Sequence, residues 1–318
     1  MVDLFRAGKG AVLSGEELAG ALGVSRTAVW KHVKMLKAKG YRIVSLPSRG
    51  YRFIAPPDDL SDLELGAGHS AKRIGRRIVC VRETGSTNQL AFRMAEEGAG
   101  DGTVVLAEMQ TGGKGRLGRR WESPPGVNLY CSVILRPPIL PATAPQLTFL
   151  SAVAVARAIE SVTRLQPRIK WPNDVLVHER KVAGLLNEMS AETDTIHWVV
   201  LGIGVNINME RDQFPDDLRY PASSLLLEHG APVSRLEFTR TLLSLLDSLY
   251  DDFLNRGFEP LREEWIARAM IRFRRVAVSS GDGDMEGTVV GIDSDGALLL
   301  QTSDGVPKRV LSGDVRFV

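Results

Sequence analysis

The chain has little cysteine. Two residues in 318, Cys80 and Cys131, stand far apart with no CxxC pair and no metal-ligand spacing. That argues against a disulfide scaffold or a zinc module and predicts two buried thiols in a reducing cytosol. Histidine is equally sparse: residues 32, 69, 178, 197 and 229 form no metal motif and read as structural or surface side chains. No structural metal is expected. No apolar run approaches the ~20 residues that span a bilayer. The opening MVDLFRAGKG lacks the apolar stretch of a secretory signal. A cytoplasmic protein with no membrane partner is the expectation. Internal repeats and low-complexity tracts are also missing.

Net charge is only +2, but it is unevenly spread. Residues 1–54 hold ten Lys and Arg against three acids, and the remainder holds thirty against thirty-five. A basic module on an acidic body points to a polyanionic partner for that module alone. The rest of the composition, 44% hydrophobic and 25% charged, is that of an ordinary globular chain. The length suggests two or three domains.

What is present begins with helix punctuation. SGEELAGALG opens on Ser14 with Glu17 three residues on, a capping-box signature. Leu18 and Leu22 mark its buried face, and Gly23 ends it. Ser25 can cap the next helix, SRTAVWKHVKMLKAKG, where Val29, Val33 and Leu36 share one stripe and Gly40 closes the end. YRIVS and GYRFI flank LPSRG as two short strands. Helix, turn, helix and β wing predict a winged helix-turn-helix over 1–57. Its second helix turns Arg26, Thr27, Lys31 and Lys34 away from the apolar stripe. Arginine there can read guanine and lysine can reach phosphate. Arg49 and Arg52 fall on the wing.

Pro56 and Pro57 mark the joint to a long block, 58–269. It mixes strands (VVLAEM, NLYCSVIL, HWVVLGIGVNI) with helices (TNQLAFRMAEEG, APQLTFLSAVAVARAIESV, SRLEFTRTLLSLLDSLYDDF). Ser234 and Glu237 form another capping box. The pattern is α+β with antiparallel hairpins rather than strict βαβ alternation. Residues 270–318 are short strands joined by GDGD, DSDG and SDG, which predicts a small antiparallel barrel.

Five stretches carry candidate chemistry. GSTN, Gly85–Asn88, precedes a helix; it supplies either a simple N-cap or a cluster of small donors and acceptors. TGGKGRLGRRW, Thr111–Trp121, packs glycines and cations into a flexible loop suited to an anion. It is not a P-loop, because Arg119 and Arg120 stand where Lys-Ser/Thr is required. KWPND, Lys170–Asp174, sets Asn and Asp after a proline-pinned turn, as an Asx-turn or as ligands to an amide, a ribose hydroxyl or Mg²⁺. KVAGLLNE, Lys181–Glu188, is a buried strand with a lysine at its mouth and small residues that admit close approach. GIGVNIN, Gly202–Asn208, is not a dinucleotide fingerprint, since no helix opens after it.

In this order and spacing, GSTN, Q-x-G-G-K-G-R-x-G-R-x-W, KWPND, RKVAGLL and G-I-G-V-N resemble the biotin–protein ligases over essentially the whole chain. SRTAVWKH and SRGYRF resemble the bifunctional members that also repress biotin genes. The resemblance implies a ligase core followed by an SH3-like barrel. It implies that biotin and MgATP give biotinyl-5′-AMP and pyrophosphate. The acyl group then moves to a lysine of the biotin carboxyl carrier protein of acetyl-CoA carboxylase. By motif, Ser86, Thr87, Asn88 and Gln110 would line the ureido pocket. Lys114, Gly115 and Arg116 would hold the carboxylate and phosphate, and Lys181 would touch the carboxylate and the bridging oxygen. Gly113, Arg119, Trp121, Asn173 and Asn206 would face the nucleotide. Asp174 would help deprotonate the acceptor lysine. Ser25, Arg26, Thr27, Lys31, Lys34 and Arg49 would meet operator DNA as part of a homodimer. The loop would order over the adenylate and seal it from water. Lys114 and Leu117 depart from the arginines other members often carry. Rival readings are a non-catalytic biotin sensor, a lipoate ligase, and a ligase with a vestigial DNA-binding domain.

Overall fold

The computed structural model describes residues 1–67, 70–218, 220–269, 271–280, 283–303 and 305–318. His69 and parts of the GDGD and SDG turns lie outside the described residues. The chain divides into two compact units, Met1–Asp59 and Leu60–Val318.

The first unit runs α1 (Val2–Ala7), β1 (Val12–Leu13), α2 (Gly15–Leu22), α3 (Arg26–Ala38), β2 (Arg42–Leu46) and β3 (Gly50–Ala55). The capping box at α2 is formed: Ser14 Oγ accepts from the Glu17 amide at 3.1 Å, and the Glu17 carboxylate accepts from the Ser14 amide at 2.7 Å. Ser25 Oγ caps α3 by accepting from the Ala28 amide at 3.2 Å. Leu18, Val29, Val33 and Leu36 are buried with Phe5, Tyr41 and Ile43, while Leu22 is only half-buried. The antiparallel wing has the order β1-β3-β2. The sequence reading placed two helices here; α1 is the third. It is six residues long, lacks a side-chain cap, and is anchored by Phe5 stacked on Phe53 at 5.8 Å. One apolar anchor is too little to produce a periodic signal.

The second unit is built on a seven-stranded sheet, ordered β4-β5-β6-β10-β9-β8-β7. The strands are β4 (Ile78–Thr84), β5 (Thr103–Gln110), β6 (Leu129–Leu135), β7 (Arg168–Lys170), β8 (Asp174–Val177), β9 (Arg180–Ala191) and β10 (Ile196–Val205). All pairs are antiparallel except β4 with β5. That parallel pair is bridged by α5 (Thr87–Glu96), which packs Ala91 and Ala95 against Val105, Ile134 and Val200. The helices α4 (Asp62–Gly66), α6 (Gln146–Thr163), α7 (Leu225–His229), α8 (Arg235–Arg256) and α9 (Glu259–Ala269) complete the layer structure.

Helix α6 departs from the expectation that no segment is long and apolar enough to cross a membrane. By length and composition, Pro141–Thr163 meets that test, yet 72% of its apolar window is buried within the protein. Ala152, Ala154, Ala156 and Ala158 let neighbours approach it on every side. A helix apolar all round is what an interior position selects.

The last strands, β11 (Arg275–Ser280), β12 (Gly283–Ile292), β13 (Leu298–Gln301), β14 (Pro307–Val310) and β15 (Asp314–Phe317), form an antiparallel sheet ordered β14-β13-β12-β11-β15. Val276, Val289, Leu298 and Val315 are buried in the same apolar core as α6 and α9. Phe149 of α6 packs edge-on against Trp265 at 4.7 Å.

One polar staple crosses the unit. Asp247 of α8, 6% exposed, accepts from the amides of Lys72, Arg73 and Ile74 at 2.7–2.8 Å. Removing an acceptor strands buried amides at a cost of ~1–3 kcal/mol. Asp247→Ala should lower unfolding free energy by about 3 kcal/mol, read as a shifted urea midpoint at unchanged slope. Asp247→Asn, which keeps one acceptor, should lose less.

Candidate functional site

The site starts from strands that lack side chains. In the β9–β10 ladder Gly204 pairs with Gly184, and Gly202 with Leu186. A methyl group on Gly202 would stand 2.3 Å from Asn88 Oδ1, and one on Gly204 would stand 2.7 Å from the Trp121 ring. The bare strand backbone thus receives Asn88 at one point and Trp121 at another. Between them opens a cavity of about 690 Å³, walled by the basic loop, the KWPND turn and the segment after β10. That volume lies within the range of small-molecule sites.

At one end of the cavity sits the β4–α5 turn. Ser86 is the N-cap residue of α5, but its hydroxyl makes no cap bond, although it is buried. The plain capping reading of GSTN therefore fails. Thr87 donates from its amide and its hydroxyl to Gln110 Oε1, at 2.8 and 3.1 Å. Gln110 Nε2 donates to Ser123 Oγ at 3.0 Å. Asn88 Nδ2 donates to Glu188 at 2.8 Å and to the Leu186 carbonyl at 3.0 Å. Ser132 Oγ lies 2.7 Å from Asn88 Oδ1 and 2.8 Å from Thr87 Oγ1. A buried network of this kind fixes its members in place.

The middle of the cavity is cationic. The loop folds back through a bridge between Lys114 and Arg120, with the Gly115 amide donating to the Arg119 carbonyl at 2.7 Å. Arg116 reaches inward and donates to Asn173 Oδ1 at 3.3 Å. Burial lowers its pKa, against the opposing pull of Asp314 and Asp174. Lys181 Nζ sits 2.6 Å from Asp174 and 5.4 Å from the Trp121 ring centre. Two cations therefore share the field of one carboxylate, Asp174, and one of them, Lys181, faces the Trp121 ring. The Trp121 indole N–H is buried without a hydrogen-bond partner. Arg119 pairs with Asp314 at 2.5 Å, tying the loop to β15, and Asp314 raises its pKa.

Ser86, Thr87, Asn88, Gln110, Lys114, Gly115, Arg116, Arg119, Trp121, Asn173, Asp174, Lys181 and Asn206 all line this one cavity. Gly113 stands apart from them. A methyl on it would meet the Trp121 carbonyl at 2.5 Å, so it serves the turn rather than the wall. Asn206 donates to the Ser223 carbonyl at 3.0 Å, and Asn173 to that of Leu185 at 2.7 Å. Both act partly as struts. Sequence reasoning missed Ser132, Ser123, Tyr220 and Asp314. A serine inside the fully buried LYCSVIL was a signal for the first. Tyr220, with Lys170 Nζ 3.7 Å over its ring, and Asp314 carried none.

In the first unit, Arg26, Thr27, Lys31 and Lys34 are exposed on α3, and Arg49 is exposed in the β2–β3 turn. Ser25 is exposed too, but its hydroxyl is engaged as the α3 cap.

A winged helix and a separate unit with an anion-ready cavity define a small-molecule ligase joined to a DNA-binding module. Comparison with known proteins agrees. Residues 80–206 match the biotin/lipoate A/B protein ligase family, 1–52 an HTH domain, and 273–318 the biotin protein ligase C-terminal domain. The bifunctional ligase/repressor BirA of Bacillus subtilis is 37% identical over 317 residues, covering 100% of this chain and 97% of that protein. The biotin–[acetyl-CoA-carboxylase] ligase of Paracoccus denitrificans is 35% identical, covering 71% and 94%. The structure of the Aquifex aeolicus biotin protein ligase in complex with biotin and ATP superposes with a TM-score of 0.66 at 29% identity, covering 76% and 99%. The chain belongs to the biotin protein ligase family, in its bifunctional ligase/repressor form.

Arg119→Ala should release the loop from Asp314. Trypsin should then cut within residues 111–121 several-fold faster than in the parent, while the melting temperature stays unchanged.

Proposed function

We propose that this protein activates biotin with MgATP to biotinyl-5′-AMP and transfers biotin to a lysine of the carrier protein of acetyl-CoA carboxylase. The observation that carries this reading is the presence of Arg116 and Lys181 in one cavity, Lys181 facing Trp121 and held by Asp174, together with the Thr87–Asn88–Gln110 network. A polar heterocycle fits the network end, and a phosphate fits the cationic middle. In the first step a biotin carboxylate oxygen attacks the α-phosphorus, and the bond to pyrophosphate breaks. Both reactants are anions, so positive charge fixed at the α-phosphate lowers the barrier. Lys181 and Arg116 supply it, with Lys114 at the rim. Asp174 holds the Lys181 ammonium in position. The product is a mixed anhydride, which the loop and Trp121 shield from water.

In the second step the neutral acceptor lysine attacks the acyl carbon and AMP leaves. No enzyme nucleophile is needed. Asp174 is assigned the proton from the incoming ammonium. Among the described residues no three His, Cys, Asp or Glu side chains gather as a ready metal cage. Mg²⁺ is therefore read as arriving on the triphosphate, where it keeps most of its waters.

The first unit is assigned to operator DNA in the cytoplasm. Arg26, Thr27, Lys31 and Lys34 would enter the major groove and Arg49 would meet the backbone. Two half-sites call for a homodimer. In this reading the adenylate both feeds transfer and signals that biotin is in surplus.

The test is ATP-dependent transfer of biotin to purified carrier protein. Transfer should require biotin and ATP, and Lys181→Ala should lower it by roughly 100-fold or more with the fold intact by circular dichroism. No transfer alongside tight biotin binding would mean a sensor instead.

A further inference from the structure

The chain has five tryptophans, and four of them are buried or half-buried: 121, 171, 198 and 265. The fifth, Trp30 on α3, is 53% exposed. Its neighbours in sequence explain why this is unexpected. Val29, Val33 and Leu36 already fill the buried stripe of α3, at 0%, 3% and 8% exposure. Trp30 thus lies outside the core with Arg26, Thr27, Lys31 and Lys34 exposed around it, while the other large apolar side chain exposed on α3, Met35 at 47%, lies about 140° round the helix from it. Lys34, one turn on, holds its Nζ 5.4 Å above the Trp30 ring. A cation on one part of the ring leaves the rest of the indole facing solvent among charges.

We infer that Trp30 is a specificity-determining residue of the DNA-binding face, and that its apolar edge reads a thymine methyl group in the major groove. The inference rests on the assignment of α3 to operator DNA. In the major groove, thymine alone presents a methyl, and apolar side chains recognise it by contact. Polar neighbours cannot supply that discrimination. Arg26 has the geometry for guanine, and Lys31 and Lys34 that for phosphate. Trp30 is the large apolar surface among them, and burying it against DNA removes an exposed aromatic face from water. The contact with Trp30 also holds the Lys34 side chain over the ring, so its charge reaches the groove with fewer rotamers to freeze.

The test uses the full chain with biotin and ATP present. A bound sequence is first selected from a random duplex library by the unmodified protein. Each thymine of the selected site is then replaced by uracil, one at a time, which removes only the methyl. Affinity is read by fluorescence anisotropy at a matched series of salt concentrations. One thymine per half-site should show a penalty of roughly four-fold for the lost methyl. Trp30→Ala should bind the thymine and uracil duplexes equally, and Trp30→Phe should restore part of the difference. Lys31→Ala should keep the full penalty while lowering the salt slope by about one. Trp30 contributes no core packing, so Trp30→Ala should melt with the parent. Trp30→Ala that retains the uracil penalty would overturn the inference, and so would a selected site at which no uracil matters. Failure of the unmodified protein to select any sequence would remove the DNA-binding reading and this inference with it.

Discussion

At Gly204 a single methyl group would stand 2.7 Å from the Trp121 ring, and at Gly184, across the ladder, 2.9 Å. Much of the site depends on that missing carbon. The glycines bare the backbone of β9 and β10, so the indole can lie against the sheet. With Trp121 seated there, the loop before it turns inward and carries Arg116 to Asn173, while Lys181 reaches from β9 toward the Trp121 ring. Two residues back along β10, Gly202 does the same for Asn88, whose amide is then locked by Ser132, Leu186 and Glu188. One bare stretch of sheet therefore sets both the polar end and the cationic middle of the cavity. The packed core on the other side of the sheet, centred on α6, keeps this surface rigid.

Charge is arranged with the same economy. Three of the cations that line the cavity have an acidic or amide partner: Lys181 has Asp174, Arg116 has Asn173, and Arg119 has Asp314. Such pairing holds long side chains in place before a substrate arrives, which is the preorganisation that electrostatic stabilisation requires. It also connects the loop to the last strand of the chain. A residue nearly two hundred positions away in sequence thus helps to hold the loop that covers the cavity.

Most of the winged helix was legible, because a capping box, a capping serine and a three-residue apolar stripe are local signals. Helix α1 was not, since a six-residue element anchored by one phenylalanine leaves no period to read. The motifs of the ligase core were legible as segments, and they converge on one cavity. Their division of labour was less so. Ser86 reads as a cap but makes no cap bond, and Gly113 reads as a ligand residue but supports a turn. Asp314 and Tyr220 were invisible because only the fold brings them to the site. The apolar helix α6 shows the converse: its composition alone resembles a membrane span, and tertiary burial decides otherwise.

The central claim is that the bare strands and Trp121 together create the binding site for an acyl adenylate. Calorimetric titration of synthetic biotinyl-5′-AMP into Gly204→Ala, beside the parent protein, tests it most directly. The account predicts a Kd raised by about tenfold or more, on the order of 1.4 kcal/mol, with the melting temperature unchanged. An unchanged Kd would contradict it, and the cavity would have to hold the adenylate without the aromatic seat.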